Sequence, residues 1–316
     1  MKAPFILAWE ITKACNLDCL HCRAAATPER DPAELTTDQG KGLLDDLAAL
    51  GTRMVILSGG EALMRPDALE LARHGGRAGL RMTLATNGAL ATPEMAREIH
   101  ASGIVRVSVS LDGVTPEVHD KLRGRPGAFE LAVSGIENLV RAGVEVQVNT
   151  TVAAMNVHQM QDFPAFIDAL KAVAWHVFFL VPTGRGHDLA PATIQDYRAM
   201  LEGFQTLHDQ GGIECKATCA PQFYRMLAEA GQPVRTKGCL AGDGFGFVSS
   251  IGDVQPCGFL ALACGNVKDR AFAEIWRSAP ELLRLRHAEN LSGACGRCEH
   301  QSVCGGCRAR AFEVLG

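Results

Sequence analysis

No apolar run in the sequence is long enough to cross a membrane. Runs such as Val177 to Val181 fall far short of the ~20 residues a spanning helix needs. Met1 opens none of the charged, apolar and small-residue regions of a secretion signal. Charge of one sign is also missing: 31 Lys and Arg against 35 Asp and Glu leave a net charge of −4, which excludes the basic surface of a duplex-binding protein. There is no internal repeat and no low-complexity tract. With 47% hydrophobic and 21% charged residues, wholesale disorder is excluded and a real core can be filled. The expectation is a cytoplasmic enzyme of 316 residues, built as one large domain or two, with neither nucleic acid nor membrane as partner.

Cysteine is absent from residues 23 to 214, and this gap is informative because the other segments hold twelve. Three stand at 15, 19 and 22, and nine at 215, 219, 239, 257, 264, 295, 298, 304 and 307. A disulfide scaffold would be spread differently. Thiols of a cytosolic chain stay reduced, so tight clusters of them argue for metal ligation.

Residues 5 to 182 alternate short β-branched runs with longer amphipathic segments, the spacing of repeated βα units on a parallel sheet. Strands are expected at Phe5–Ile11, Met54–Ser58, Arg81–Ala85, Val105–Leu111, Val144–Val152 and His176–Val181. Helix starts are readable at Thr36 or Thr37, at Thr92-Pro93 and at Pro126-Gly127, and helix ends at Gly51, Gly79, Gly103 and Gly143. A loop is expected at Gly184–Pro191 and a helix at Thr193–Gln210. From Gly211 the pattern turns to short apolar pieces, many Gly and Cys, and one convincing helix near Phe272–His287. The fold class is therefore α/β: a partial parallel (β/α)6 TIM-like barrel over residues 1–210, then a small cysteine-rich domain over residues 211–316. Thin apolar content in that second part suggests metal as its staple, so chelation is expected to unfold it first.

Cys15, Cys19 and Cys22 form C-x3-C-x2-C directly after the first strand. Three thiolates on one loop can hold three irons of a cubane cluster and leave the fourth iron open. Zinc is the alternative, but it needs a fourth ligand, and His21 is badly placed to converge with its neighbours. The loop falls at the C-terminal end of a strand, where parallel βα folds place active sites. Ser58-Gly59-Gly60-Glu61 follows the second strand. Two glycines there let backbone approach a small ligand, and Glu61 can accept from an amine; the bland reading is a tight turn. It matches neither a Walker loop nor G-x-G-x-x-G.

Taken in order, WEITKACNLDCLHCR, LSGGE, ATNG and VSVSLDG resemble the radical S-adenosylmethionine enzymes. The resemblance implies that Cys15, Cys19 and Cys22 ligate a [4Fe-4S] cluster whose open iron chelates S-adenosylmethionine, cleaved on reduction to a 5'-deoxyadenosyl radical. It implies that Gly59, Gly60 and Glu61 hold the methionine amine, that Ser110 and Asn87 reach the ribose, and that Arg123, in the loop after the fourth strand, meets the carboxylate. Asp112 is read as structural. The second half resembles the SPASM (twitch-type) extension with one or two auxiliary [4Fe-4S] clusters, which implies ligands among Cys239, Cys257, Cys295, Cys298, Cys304 and Cys307. Gly252-Asp253 between the first two reads as a hairpin turn, and paired zinc knuckles are the alternative to the clusters. The SPASM pattern usually continues to a further Cys, and none follows Cys307. Either the chain is truncated, Cys219 or Cys264 takes the place, or an iron stays open; Cys215 and Cys264 also read as plain buried thiols.

HCRAAA, VQVNTTV, HVFFLVPTGRG, KATCAPQFYRM and CGGCRARAF are similar to the alternative haem biosynthesis family. That similarity implies oxidative decarboxylation of the propionates of iron-coproporphyrin III, or a related tetrapyrrole reaction. An auxiliary cluster would accept the remaining electron, and flavodoxin or ferredoxin would supply reductant. No catalytic acid or base is assigned. Arg185 is the first candidate for a propionate carboxylate, with Arg225 and Arg23 behind it, and His176 and His187 are candidates to approach the macrocycle iron. Rival readings are a peptide-modifying enzyme of the same architecture and a non-enzymatic electron-transfer or zinc-binding module. A maturase often carries an added N-terminal domain, which the early first strand counts against.

Overall fold

The structure, a computed structural model, describes residues 2–234 and 236–316. Six βα units lead: β1 (Ile6–Thr12), α1 (Thr37–Leu50), β2 (Met54–Gly59), α2 (Ala68–Arg77), β3 (Arg81–Thr86), α3 (Pro93–Ala101), β4 (Arg106–Ser110), α4 (Pro116–Arg123), α5 (Ala128–Arg141), β5 (Glu145–Val152), α6 (Phe163–Ala169), β6 (Ala174–Phe179) and α7 (Ile194–Gln210). There follow β7 (Glu214–Thr218), α8 (Gln222–Glu229), β8 (Phe245–Val248), β9 (Val254–Gln255), α9 (Phe272–Ser278), α10 (Pro280–Arg286), α11 (Gly293–Gly296) and α12 (Arg308–Leu315).

Local chemistry sets the boundaries. Thr36 caps α1 and Gln39 reaches back to it, a reciprocal pair that satisfies two otherwise orphan donors. Thr193 and Asp196 repeat the device on α7. Thr92 before Pro93 starts α3, where the missing proline N–H costs nothing. The four glycines expected to end helices all have left-handed backbone.

One open sheet runs in the order β7-β6-β5-β4-β3-β2-β1-β8-β9, parallel throughout except for the last pair. All strands from β1 to β8 therefore point their C-terminal ends to one mouth. The outer helices cover the sheet, and Leu7, Trp9, Val55, Leu84, Val109 and Phe179 are sealed in its core.

Two features differ from the sequence expectation. First, the sheet does not stop at residue 210: β7 pairs with β6, and β8 pairs with β1 in parallel. The hairpin turn at Gly252-Asp253 is present between β8 and β9. Second, the C-terminal segment shares more of the main core than its composition suggests. Phe272, Ile275, Trp276 and Leu282 belong to the main core, and Phe272 stacks on Trp276 at 5.6 Å. Truncating such an aromatic costs about 3–5 kcal/mol, so residues 245–286 are held by the sheet and core themselves. The expected helix near Phe272–His287 is broken at Ala279 by Pro280.

Candidate active site

The loop between β1 and α1 carries Cys15, Cys19 and Cys22, and its neighbours fix it. Cys15 N–H donates to Thr27 O (2.8 Å) and Leu20 N–H to Leu122 O (2.9 Å). The Thr12 hydroxyl and Lys13 N–H both donate to Glu34 (2.8 Å each). Backbone N–H groups also face the sulfurs, Leu17 on Cys15 (3.4 Å) and Ala26 on Cys22 (3.3 Å). Burial pushes the Cys15 thiol up to about 11 and raises Cys19 too. Without metal these thiols keep their protons; the N–H donors stabilise the thiolates once a metal displaces the protons.

Glycines let other strand ends close on this loop. A Cβ on Gly59 would lie 2.6 Å from Thr12 O, and one on Gly60 would lie 2.5 Å from Ala14 O. The Gly-Gly turn therefore first serves the packing of β2 on the root of the Cys loop, where Gly60 N–H donates to Thr12 O (2.8 Å). Gly124, with φ +68, similarly brings the end of α4 onto Asp18, whose carbonyl would be 2.3 Å from an added Cβ.

Glu61 has no exposed surface. It accepts from Leu63 N–H (3.0 Å), the Thr86 hydroxyl (2.8 Å) and Asn87 N–H (2.7 Å), and burial raises its pKa. Its carboxylate ties the ends of β2 and β3 together. Asn87 donates to the Asn16 side chain (2.7 Å) and accepts from Ala89 N–H (2.9 Å). Ser110 is half-buried at the end of β4.

Arg123 ends α4 instead of standing in a loop. It is buried, paired with Asp112 at 2.7 Å, and its Nη1 lies 3.8 Å from the Cys19 sulfur. Asp112 is fully buried, also meets His21 at 3.2 Å, and accepts from Thr151 N–H (2.7 Å). The sequence reading weighed His21 only as a zinc ligand and did not foresee its pairing with Asp112. His21 Nδ1 and Arg123 Nε are buried without a protein partner. Two unpartnered nitrogens beside the triplet fit a polar, carboxylate-bearing ligand.

His119 accepts Asp112 N–H at Nδ1 (3.1 Å) and packs edge-on against Phe129. Burial, with the Arg123 charge close by, pushes its pKa down to about 4, against ~6.5 in an unfolded chain. Between these values the unfolded chain binds a proton that the folded one refuses. Stability is therefore full above pH ~6.5 and falls as pH drops toward 4, by a total on the order of 3 kcal/mol. Urea midpoints should fall over this window, and His119→Asn, which keeps an acceptor but does not titrate, should flatten the slope. Equal slopes in the two proteins would refute the assignment.

The other candidates fall elsewhere. Arg185 sits in a short turn after β6 and donates to Cys19 O (2.9 Å) and Ala26 O (3.1 Å), with Asp18 at 3.1 Å. It buttresses the cysteine loop. Arg23 pairs with Glu10, donates to Gly258 O (3.0 Å) and lies over Phe247 at 4.7 Å. Arg225 is exposed beside Glu229. His176 pairs with Glu214 at 3.3 Å, in a group with Arg106 at the N-terminal ends of the strands. That is the rim opposite the mouth, so the geometry does not bring His176 to a ligand there. His187 is exposed beside Asp188.

The distal cysteines form two groups. Cys219, Cys257 and Cys307 pack on one small apolar cluster, with Cys239 near enough to act on Cys257 and Cys307, while Cys295 and Cys298 are near enough to act on Cys304. Cys215 and Cys264 stand apart in the core, where burial pushes their thiols up to about 11 and 12. Among the described residues no three His, Cys, Asp or Glu side chains converge on one ion. A structural zinc site would need its ligands gathered to ~2.3 Å of a single metal, whereas a cubane takes each thiolate on a separate iron.

A parallel open barrel whose first strand feeds a three-thiol loop, extended by grouped cysteines, defines a radical S-adenosylmethionine enzyme with an iron–sulfur extension. Residues 9–170 match the Radical SAM superfamily and residues 239–307 the SPASM iron-sulfur cluster-binding domain; the chain belongs to that superfamily. More particularly, it is 46% identical to the AdoMet-dependent heme synthase of Methanosarcina barkeri, over all of this chain and 94% of that one. It is 34% identical to the mycofactocin maturase MftC of Mycobacterium ulcerans, over 99% of this chain and 85% of that one. In three dimensions it resembles Streptococcus suis SuiB bound to S-adenosylmethionine, with a TM-score of 0.80, 18% identity and coverage of 99% and 75% of the two chains. The cofactors are S-adenosylmethionine and a [4Fe-4S] cluster, with auxiliary iron–sulfur sites in the SPASM segment. No helix among the described residues is long and apolar enough to cross a membrane.

Proposed function

We propose that this protein converts propionate side chains of iron-coproporphyrin III to vinyls, the last carbon chemistry of a haem. The observation that carries this reading is the 46% identity to a haem synthase sustained over the whole chain. When bound, the cluster and S-adenosylmethionine supply a 5'-deoxyadenosyl radical that can take a hydrogen atom from the propionate β-carbon. Carbon dioxide then leaves, and one electron passes to an acceptor, for which the auxiliary sites are suited.

The chain's own residues have distinct parts in this reading. Cys15, Cys19 and Cys22 hold the cluster. Gly59, Gly60 and Glu61 shape the wall against which the methionine amine lies, with Ser110 and Asn87 toward the ribose. Arg123 offers its unpartnered Nε to the carboxylate while Asp112 fixes its plane. Arg185 holds the loop and so acts on the substrate only indirectly. Residues 1–210 serve radical generation and 211–316 the auxiliary clusters, Cys239, Cys257, Cys295, Cys298, Cys304 and Cys307 among their ligands. A cytoplasmic setting with flavodoxin or ferredoxin as donor suits this chemistry.

The test is an anaerobic reaction of the reconstituted protein with S-adenosylmethionine, dithionite and iron-coproporphyrin III. Loss of one formic-acid equivalent per propionate, matched by 5'-deoxyadenosine, is expected. If 5'-deoxyadenosine forms while the tetrapyrrole mass is unchanged, this substrate is wrong, and the likeness to the mycofactocin maturase makes peptides the next substrates.

A further inference from the structure

We infer that Lys216 on β7 is a carboxylate anchor for the substrate, pairing with a propionate other than the one that reacts. The inference rests on the proposed tetrapyrrole reaction and names one contact within it.

Strand alternation decides which side chains face the inside of the partial barrel. Val107, Val109, Val148, Trp175, Val177 and Ala217 belong to the core under the outer helices, so their neighbours in sequence stand on the opposite, inner face of the sheet. Register then lines Ser110, Asn149, His176 and Lys216 along one ladder across β4, β5, β6 and β7. Three strand spacings of ~4.8 Å put Lys216 roughly 14 Å from Ser110 along that ladder. Ser110 is the last residue of β4 and Lys216 the middle one of β7, so the ladder runs from the mouth down into the barrel.

The lower rim of the barrel is closed by a charged group in which every member has a partner. Arg106 pairs with Glu145 (3.2 Å) and Glu214 (3.0 Å), and Glu214 also meets His176 (3.3 Å). Lys216 stands outside this group. It is half-buried, and among the described residues it has neither a hydrogen bond nor an ion pair. Its amine is close enough to Glu214 and to Cys219 to sense both charges, which places it between the closed rim and the mouth. Burial pulls its pKa down, and those two neighbours offset this only in part. A cation withdrawn from water without a partner costs stability, and a ligand carboxylate supplies the missing charge and hydrogen bond.

The chemistry of the reaction says which carboxylate. A cation on the reacting propionate would hold there the electrons that release of carbon dioxide must free, whereas a retained propionate loses nothing in an ion pair. Iron-coproporphyrin III carries its propionates around a flat macrocycle. One arm can therefore meet the radical near Ser110 while another reaches down the inner face to Lys216.

The test titrates the cluster-loaded full chain with iron-coproporphyrin III and follows the Soret band. Lys216→Met keeps the length of the side chain and removes its charge, and should raise Kd by roughly tenfold or more. Arg225→Met, which removes an exposed charge beside Glu229, should leave Kd at the parent value. The tetramethyl ester of the same tetrapyrrole has no carboxylate, and should bind the parent and Lys216→Met alike. The urea midpoint of Lys216→Met should be no lower than the parent's, since an unpaired cation has been removed, so the weaker binding is not a loss of fold. Equal Kd values for the acid in parent and Lys216→Met would overturn the inference and leave the tetrapyrrole reading standing. An ester weakened as much as the acid would overturn it too, because the lysine would then shape the site without pairing with a carboxylate. A parent chain that failed to bind iron-coproporphyrin III at all would sink both the inference and the reading beneath it.

Discussion

Replacing Cys15, Cys19 or Cys22 singly by Ala is expected to bring 5'-deoxyadenosine formation down to that of a protein-free control. The three-thiol site has no spare donor. No cysteine occurs between residues 23 and 214, and the ring of His21, which stands beside Cys22 in sequence, is oriented through Nε2 by Asp112. Asn87 faces the Cys15 sulfur at 4.0 Å as an amide donor, a poor replacement for a thiolate. The fold should survive these changes. Cys19 packs against Leu17 and Ala128 in a small satellite cluster, so loss of one sulfur in the metal-free protein should cost about 1 kcal/mol. The check pairs product analysis with a urea melt of the metal-free variants. Product formed at the parent rate by any one variant would refute the cluster assignment.

How much of this was legible depended on how local the determinants are. The first six strands and most helix starts follow from β-branched runs, Thr caps and Pro at the first turn, all of which act within a few residues. The triplet was legible because its spacing alone restricts its chemistry. β7 was not: in ECKAT only Cys215 and Ala217 are apolar, and what makes it a strand is pairing with β6. The tightness of Glu61 was not legible either, because two of its three donors, the Thr86 hydroxyl and Asn87 N–H, come from the end of β3 and the turn beyond it. Arg185 is the clearest case. A Gly-Arg-Gly loop after a strand suggests an anion site, yet Gly184 at φ +54 lets that loop settle against Cys22 and Arg23 carbonyls, and this delivers the guanidinium to the cysteine loop. Contacts between loops from different strand ends set these roles, and a single sequence carries no local signal of them.

Asp112→Asn is expected to be the most damaging change outside the cysteines. The side chain is fully buried between Arg123 and His21. Burial is the largest single influence and would raise its pKa, but the Arg123 charge together with the charge and hydrogen bond of His21 outweighs it and holds the carboxyl well below the usual carboxylate range. Its contribution to stability is therefore present above pH ~3.9 and is lost as pH falls below it. At neutral pH the Asn variant leaves Arg123 as an uncompensated buried cation, a loss of about 3–5 kcal/mol, and it also frees His21 and the Cys19 stretch of the loop. Low activity in this variant would by itself be ambiguous between unfolding and a failed site. The double variant Asp112→Asn/Arg123→Met resolves the ambiguity, since it removes both charges at similar volume. Its urea midpoint should return most of the way to the parent value. Its S-adenosylmethionine cleavage should stay as low as in Arg123→Met alone, because the group facing the cofactor carboxylate is gone. Recovery of cleavage together with stability would show that Arg123 serves only as the partner of Asp112, and the carboxylate contact would have to be sought elsewhere around the mouth.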